Sequence, residues 1–204
     1  NLPANLVTGQ NIQFNVVYAP TAPGDHTATL TITDDLGRTI HNVPIAGSSL
    51  DPTIYTLPMA QNFDSVTPPA LPLGWIPAIQ STSTFAYIRT VTGNPFSAPN
   101  CVQMTNADDP NSTLLLIAPP YAANIQTNAT RIHFRGRSDS TAGTTVTIGV
   151  MTNNQDTATF SEVQTVELNT QWTEYVVSLA AYTGTGRYAA FKMGTGGWYQ
   201  SVYL

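Results

Sequence analysis

Strict alternation of apolar and polar side chains recurs along the chain, and it limits the folds that the chain can adopt. In HTATLTITDDLG, Ala28, Leu30 and Ile32 alternate with threonines up to the turn DDLG. Four more segments alternate in the same way, namely QFNVVYAP (Phe14, Val16), RIHF (Ile132, Phe134), TVTIGV (Val146, Ile148, Val150) and EYVVSL (Tyr175, Val177, Leu179). Because successive side chains of a strand point to opposite faces, this pattern predicts half-buried β-strands.

Helical periodicity is missing from the sequence. No window of 11 residues or more repeats its apolar residues with a period of about 3.6. The 14 glycines and 15 prolines interrupt the alternating segments at short spacing, as turns between strands do. The sequence therefore predicts an all-β protein with β-sandwich or jelly-roll topology.

A domain boundary is expected in SSLDPTIYTLP, residues 48–58, where small polar residues and prolines interrupt the strand pattern. Residues 1–50 show only three or four strand segments, whereas an immunoglobulin-type sandwich needs about seven strands. This piece therefore cannot close two sheets of its own. Either the chain begins partway through a domain, or another chain supplies the missing strands by strand addition.

Composition excludes two classes of partner. Charged residues make up 9% of the chain and the formal net charge is -5, whereas nucleic-acid binders need clustered Lys and Arg. The longest apolar run, LLLIA at 114–118, is far shorter than the ~20 residues of a membrane-spanning helix. We therefore expect no nucleic-acid partner and no membrane insertion in this segment.

The segment QNIQFNVVYAPTAPGDHTATLTITDDLGRTIHNVPIAGSS resembles the C-terminal half of immunoglobulin-like domains of the ASPM/hydin type, which occur in bacterial surface proteins. The shared pattern is a strand ending in proline, a glycine-containing turn, a threonine-rich strand, a turn and a closing strand. The resemblance implies that residues 1–50 are the C-terminal part of a spacer domain, followed by a linker at 51–57.

Residues 58–204 resemble the cleaved-adhesin and MAM-like (choice-of-anchor J) jelly-roll domains of secreted Bacteroidetes proteins. The resemblance rests on QNFDS and LPLGW at 61–75, SAPNCVQMTN at 97–106, RIHFRGRS at 131–138, QWTEYVVSL at 171–179 and YAAFKMGTGGWYQSVYL at 188–204. In that family the last strand runs on into an acidic pair, so the resemblance implies that the final strand is truncated here.

Calcium is implied by the same resemblance. Family members often bind this ion at one end of the jelly roll, through the acid after the early Phe, the Asn of the Pro-Asn pair and the acids of the final strand. Asp64 and Asn100 would be the corresponding ligands, and calcium prefers six to eight oxygen atoms. The alternative is that Asp64 only forms the turn before the proline run, and we expect Trp75 to pack in the core.

A stripe of basic residues is predicted on one strand. Arg131, His133, Arg135 and Arg137 share one parity, although the chain has only seven Lys and Arg and three His. Such a stripe suits acidic sugars or carboxylates. The alternative is a solvated face paired with acids of neighbouring strands, such as Glu162, Glu167 or Glu174.

No motif for catalysis was found in the sequence. There is no G-x-S-x-G, no H-E-x-x-H and no phosphate-binding glycine loop. The acid pairs in DDLG (34–37) and DDPN (108–111) are interpreted as turn formers. Cys101 is interpreted as a passive thiol on the face opposite Val102 and Met104. We therefore expect a protein that is not an enzyme.

Glycosylation is a further expectation. Secreted Bacteroidetes proteins carry O-linked glycans at Asp followed by Ser or Thr and a small or apolar residue. The chain resembles this pattern at DST (139–141) and DTA (156–158), so Ser140 and Thr157 are candidate glycosylation sites.

The sequence predicts a non-catalytic adhesion or binding segment of a larger bacterial protein, extracellular or at the cell surface. Its partner is expected to be a glycan or a surface protein, with calcium stabilising the jelly roll. One alternative is a carbohydrate-binding accessory module of a secreted hydrolase or peptidase. The other is a structural subunit of a surface filament, in which neighbouring copies are joined by strand addition.

Overall fold

The computed structural model describes residue 5 and residues 7–20, 24–49, 54–125, 130–139, 143–194 and 199–204. The chain divides into two compact units, Asn1–Asp51 and Pro52–Leu204. We describe each unit by itself. Assignment of residues 1–50 to half of an immunoglobulin-like domain, and of 51–57 to a linker, stays a prediction.

The first unit contains a hairpin of strands β1 (Gly24–Thr33) and β2 (Thr39–Ser49). Its turn is formed as predicted, because the Asp34 carboxylate accepts the backbone N–H groups of Leu36 at 3.0 Å and Arg38 at 2.9 Å. The strand predicted at QFNVVYAP was wrong, since described residues 10–20 form no strand. An alternating segment forms a strand only when a neighbouring strand supplies hydrogen-bond partners for its backbone. Val17 in this segment is 82% exposed, so alternation here does not reflect burial of one face.

The described residues of the second unit form ten further strands and one 3-10 turn, Thr157–Thr159. In chain order the strands are β3 (Ile76–Gln80), β4 (Tyr87–Val91), β5 (Cys101–Ala107), β6 (Thr113–Ile117), β7 (Arg131–Ser138), β8 (Thr145–Met151), β9 (Phe160–Glu167), β10 (Thr173–Ser178), β11 (Tyr188–Met193) and β12 (Tyr199–Tyr203). Within the described ranges there is no α-helix, so the all-β prediction is confirmed. Those ranges accordingly contain no helix that is able to cross a bilayer.

Two antiparallel five-stranded sheets form a β-sandwich. The front sheet has the strand order β10-β7-β12-β5-β4, and the back sheet has the order β3-β6-β11-β8-β9. The chain changes sheet repeatedly, so that each sheet combines strands from distant parts of the sequence. The predicted sandwich is therefore confirmed.

The core lies between the sheets and follows the alternation of the sequence. Val146, Ile148 and Val150 of β8 face it from the back sheet, and Val102 and Met104 of β5 face it from the front sheet; all five are fully buried. Burial of each such side chain contributes about 1.5–3 kcal/mol. Trp75 packs on this core, as predicted, with its ring centroid 5.0 Å from that of Phe63.

The apolar run LLLIA has a different environment. Leu114 and Leu116 of β6 belong to the central core, whereas Leu115 and Ile117 belong to a second apolar cluster with Met151. A strand that is buried on both faces needs a continuous apolar run and does not alternate. This accounts for the continuous apolar run in β6.

Candidate ligand-binding face and calcium site

The outer face of the front sheet carries a row of large polar and aromatic side chains. The strand register places Arg137 of β7 opposite Tyr203 of β12, Tyr203 opposite Gln103 of β5, and Gln103 opposite Arg89 of β4. Side chains directly opposite each other in antiparallel strands share a face. The four residues therefore form one continuous row, which we call the outer row.

A buried polar layer supports the outer row. The Gln103 side-chain amide donates to Ser201 Oγ and to Tyr203 Oη, both at 3.2 Å. The hydroxyls of Thr105 and Ser201 lie 2.8 Å apart, and both side chains are buried. Because hydrogen-bonded buried groups are costly to disturb, these bonds hold the Gln103 side chain and the Tyr203 hydroxyl in defined positions.

Guanidinium groups stack on aromatic rings along this face. The guanidinium carbon of Arg137 lies 4.0 Å from the ring centroid of Tyr203 and 5.5 Å from that of Trp172. Arg89 lies 4.0 Å from the ring centroid of Tyr87. Stacking of this kind holds a guanidinium group against the plane of the ring. Arg137 Nη1 also donates to the Ser138 carbonyl at 3.3 Å, and Arg137 Nε is buried.

Trp172 extends the face beyond β10. Its indole N–H donates to the backbone carbonyl of Asn94 at 3.1 Å, and its ring meets Phe96 with 6.2 Å between centroids. Arg135 lies 4.1 Å from the Phe96 centroid. Phe96 is 53% exposed, so an aromatic surface adjoins the outer row.

The predicted basic stripe lies on this face. Arg131, His133 and Arg135 are exposed and Arg137 is half-buried, while Ile132 and Phe134 between them face the core. The prediction that these four side chains share one face of the sheet is confirmed. Ligand binding by the stripe stays a prediction.

Cross-strand pairing accounts for part of the stripe. The Glu174 carboxylate on β10 lies 2.9 Å from Arg135 Nη2 and 3.7 Å from His133 Nδ1. All three side chains are well exposed, so these pairs contribute little to stability. The prediction that Glu162 and Glu167 pair with the basic stripe was wrong, because both residues lie on β9 in the back sheet.

Sequence reasoning missed most of the outer row. Tyr87, Arg89, Gln103 and Tyr203 are spread over more than a hundred positions, and only the strand order of the sheet brings them together. A signal was present in CVQMTN, where Gln103 and Thr105 alternate with Val102 and Met104. Polar residues on the outward parity of a central strand indicate a functional or covered face.

Asp64 and Asn100 lie together at the end of the sandwich. Asp64 Oδ1 accepts the backbone N–H of Asn100 at 3.2 Å, and Asp64 Oδ2 accepts from Asn62 Nδ2 at 2.7 Å and from Ser97 Oγ at 3.3 Å. Asp64 therefore ties its turn to the loop before β5, and the two predicted ligands are neighbours.

The Asn100 side chain is oriented by its amide nitrogen. Asn100 Nδ2 donates to the carbonyls of Phe63 at 3.1 Å and Val66 at 2.7 Å, and the residue is 2% exposed. Asn100 Oδ1 is buried and has no hydrogen-bond partner. Phe63, whose carbonyl lies in this site, has a φ of 63°, a left-handed conformation that is rare for a bulky residue.

The chemistry of these side chains suits a calcium ion, since a carboxylate and an amide oxygen are hard oxygen ligands. A buried polar atom without a partner calls for an explanation, of which a bound ion or water is one. No cluster of three or more His, Cys, Asp and Glu side chains occurs in the part of the chain that the structure describes. Further ligands at this site would therefore include carbonyl oxygens or water.

Cys101 is placed next to the outer row. Its side chain has the outward parity predicted from Val102 and Met104, but it is buried. Burial raises the pKa of the Cys101 thiol to about 11, with the positive charge of Arg137 opposing the effect. Because only the thiolate is a strong nucleophile, the arrangement favours the passive thiol that we predicted.

The acids of the DDPN turn have a structural role. Asp109 accepts hydrogen bonds from the Thr82 backbone N–H at 2.7 Å, from Ser81 Oγ at 2.8 Å and from the Asn111 backbone N–H at 3.1 Å. These donors lower the pKa of Asp109 below its usual value. The turn-forming role is confirmed for Asp109.

The glycosylation predictions remain open. Thr157 is half-buried at the start of the 3-10 turn, where Asp156 Oδ1 accepts the backbone N–H of Ala158 at 3.0 Å. Ser140 lies outside the described residues. Modification of Thr157 and Ser140 stays a prediction.

Comparisons with known proteins support the fold. No family model and no curated protein sequence matches the chain. The structure is similar to the K2 cleaved adhesin domain of Lys-gingipain, with TM-score 0.52 and 14% identity over 71% of this chain and 94% of that chain. The K1 cleaved adhesin domain of Lys-gingipain from Porphyromonas gingivalis W83 gives the same TM-score, 0.52, and 14% identity over 70% of this chain and 92% of that chain.

A carbohydrate-binding module of the β-sandwich superfamily is also similar, with TM-score 0.50 and 15% identity over 92% of this chain and 74% of that chain. At these identities the likeness shows the fold alone. The adhesin-like β-sandwich implied by the sequence resemblance is thus confirmed as a fold, without support from a sequence family.

Proposed function

We propose that the second unit is a non-catalytic binding module that holds a glycan on the outer row of the front sheet. The observation that carries the proposal is the outer row itself, in which the guanidinium groups of Arg137 and Arg89 stack on tyrosine rings and the Gln103 amide donates to Tyr203 Oη. The fold shared with adhesin domains and a carbohydrate-binding module supports it.

The chemistry of the row suits a sugar chain. Exposed aromatic surface at Phe96 offers a partner for the apolar C–H face of a sugar ring. Arg89 presents a planar set of N–H donors that matches vicinal hydroxyls or a carboxylate, and Arg137 adds the positive charge of its stacked guanidinium group. With adjacent strands about 4.8 Å apart, a row across four strands extends about 14 Å, which is long enough for several sugar units.

The test is a glycan array followed by calorimetric titration of the best ligand. Arg137→Ala together with Arg135→Ala is expected to weaken binding about tenfold or more, because a hydrogen bond to a charged group contributes about 1.5–3 kcal/mol. Lys192→Ala, in β11 of the back sheet, is the matched control and is expected to bind normally. Unchanged binding in the double variant, with folding verified by circular dichroism, would show that neither Arg137 of the outer row nor the neighbouring Arg135 holds the glycan.

Calcium binding at Asp64 and Asn100 is the second part of the proposal. Two observations support it: Asn100 Oδ1 is buried without a hydrogen-bond partner, and the Asn100 backbone N–H donates to the Asp64 carboxylate. The ion would cross-link the turn at Asp64 to the loop before β5 and so stabilise one end of the sandwich. No step of glycan binding depends on it.

Thermal melting of the full chain with and without calcium tests this site. A ligand that binds only the folded state adds RT ln(1 + [L]/Kd), which is about 2.7 kcal/mol at a hundredfold excess over Kd. We expect Asp64→Ala and Asn100→Leu to abolish the calcium-dependent shift, and Asp109→Asn to retain it. Equal shifts in the wild type and in Asp64→Ala would mean that calcium binds elsewhere.

The setting we propose is extracellular, on the surface of a bacterium or in a secreted protein, where the module would contact glycans or a surface protein. A second candidate is a carbohydrate-binding accessory module of a secreted hydrolase or peptidase. The likeness to the carbohydrate-binding module favours it. An isolated chain that binds plant or microbial polysaccharides but not host glycans would support this second candidate.

A further inference from the structure

The strands of the two sheets carry charge of opposite sign. Those of the front sheet contain four arginines and one acid, Glu174. Those of the back sheet contain one lysine, Lys192, and two acids, Glu162 and Glu167. The formal net charge of the chain is -5, so the front sheet is a positive surface on an acidic protein. Such a surface attracts anionic ligands.

Arg89 ends the outer row with an unpaired guanidinium group. It lies on β4, an edge strand of the front sheet, and its side chain is exposed. The guanidinium group contacts the Tyr87 ring, 4.0 Å from the centroid, and forms no hydrogen bond or ion pair with any residue that the structure describes. Arg135, in contrast, pairs with Glu174 at 2.9 Å. The N–H donors of Arg89 are therefore free to meet a ligand.

Arg137, at the other end of the outer row, contributes mainly its charge. It is half-buried, it stacks on the Tyr203 ring at 4.0 Å from the centroid, and its Nη1 donates to the Ser138 carbonyl. Among the described acids, none forms an ion pair with Arg137. A charge that is partly removed from water acts more strongly on a nearby charge than one in bulk solvent. An acidic group near this end of the row would therefore be attracted.

Neutral side chains separate the two arginines. Tyr203 and Gln103 occupy the positions between them, and their strands β12 and β5 contain no charged residue. Three strand spacings of about 4.8 Å put the backbones of Arg89 and Arg137 about 14 Å apart. Each guanidinium group is held on a ring of its own, Tyr87 or Tyr203. The row thus presents two separate positive groups with a neutral surface between them.

We propose that the glycan held on the outer row is acidic, with one carboxylate or sulfate group at Arg89 and a second, on another sugar unit, near Arg137. This inference rests on the proposed function and adds the chemical class of the ligand. A guanidinium group binds an oxyanion through two parallel N–H bonds, which are stronger than bonds to a neutral hydroxyl. The intervening part of the glycan would lie over Tyr203 and Gln103. A neutral glycan would leave both arginines without an opposite charge.

The experiment is calorimetric titration of the full chain with a galacturonate hexamer and with its fully methyl-esterified form. The two probes have the same length and the same sugar and differ in their carboxylates. We expect the acidic hexamer to bind at least about tenfold more tightly. Its advantage should shrink when NaCl is raised from about 0.1 M to about 1 M, which shortens the screening length from about 10 Å to about 3 Å.

A heparin-derived hexasaccharide separates the two kinds of acidic group. Tighter binding of this sulfated probe than of the galacturonate hexamer would identify sulfate as the preferred group, and the reverse order would identify carboxylate. Either order supports an acidic glycan, provided that both probes bind more tightly than the methyl ester.

Substitutions test the two ends of the row separately. Arg89→Gln and Arg137→Gln are each expected to weaken binding of the preferred acidic probe about three- to tenfold. The effects should multiply in the double variant, because sites about 14 Å apart act independently. Lys192→Gln, which removes a positive charge from the back sheet, is the matched control and is expected to bind normally. Thermal melting verifies folding, and Arg89 is exposed, so its substitution should leave the melting temperature unchanged.

Two outcomes would overturn this inference and leave the proposed glycan site standing. One is equal affinity for the galacturonate hexamer and its methyl ester. The other is unchanged binding of the acidic probes by Arg89→Gln. Absence of binding to the acidic probes, to the ester and to every member of the glycan array would overturn the proposed function as well.

Discussion

Cys101 illustrates how neighbours decide the chemistry of one residue. It begins β5 with its side chain on the outer face of the front sheet, where an exposed thiol would be expected, yet it is 3% exposed. Its sequence parity predicts the face but not the burial. Burial disfavours the charged thiolate, and this effect exceeds the attraction of Arg137.

The raised pKa gives a prediction for Cys101. With a pKa of about 11, the thiol in the folded chain stays protonated and is expected to resist alkylation by iodoacetamide at pH 9. In denaturant the same thiol has its ordinary pKa and should react readily. Mass spectrometry of the alkylated chain after timed quenching measures both rates. Equal rates in the folded and unfolded chain would show that Cys101 is accessible.

At the scale of elements, alternation predicted the faces of strands correctly but not their irregularities. Strands β8 and β9 pair antiparallel with a register shift between Ile148 and Gly149. The alternation in TVTIGV predicted which residues of β8 face the core. The register shift, in contrast, depends on how closely Phe160 and Ser161 of β9 approach Gly149. A glycine inside a strand commonly marks such a bulge or a close approach.

Substitution of Gly149 tests this close approach. A Cβ atom at Gly149 would lie 2.5 Å from the Phe160 ring and from the Ser161 carbonyl oxygen. Gly149→Ala is therefore expected to destabilise the fold by about 1–3 kcal/mol. That corresponds to a melting temperature lower by about 2–12 °C, measured by circular dichroism.

Gly93→Ala is the matched control for Gly149→Ala. A Cβ atom at Gly93 would meet nothing within 4 Å, and its φ is not positive. We expect its melting temperature to stay within about 2 °C of the wild type, since surface changes of this kind are within ±0.5 kcal/mol. A similar drop in both variants would mean that loss of glycine, rather than the contact with Phe160, is responsible.

At the scale of the whole molecule, the two units differ in how much core they contain. Both described apolar clusters consist entirely of residues from the second unit, from Phe63 to Leu204. Within its described residues the first unit contains one hairpin, and an isolated two-stranded hairpin is marginal in water. Stability is therefore expected to reside in Pro52–Leu204.

Removal of the first unit tests whether folding stability resides in Pro52–Leu204. A chain of residues 52–204 is expected to give a strand-rich circular dichroism spectrum and one cooperative thermal transition, because its core is complete without residues 1–51. Residues 1–51 alone are expected to show no cooperative transition. A non-cooperative melt of residues 52–204 would show that the first unit contributes to folding of the sandwich.

The sequence by itself determined the fold class, the inward face of most strands and the turn roles of Asp34 and Asp109. These properties depend on local periodicity and turn chemistry, which are written in consecutive residues. The basic stripe on β7 was also predictable, because its members lie on one strand. The strand predicted at QFNVVYAP failed for the converse reason, since pairing requires a partner that periodicity does not specify.

Only the tertiary structure decided which strands are neighbours. The outer row combines β4, β5, β7 and β12, which come from distant parts of the sequence. The orphaned oxygen of Asn100 likewise depends on where the turn at Asp64 meets the loop before β5. Such contacts are non-local, so they are set by the packing of two sheets and not by any single stretch of sequence.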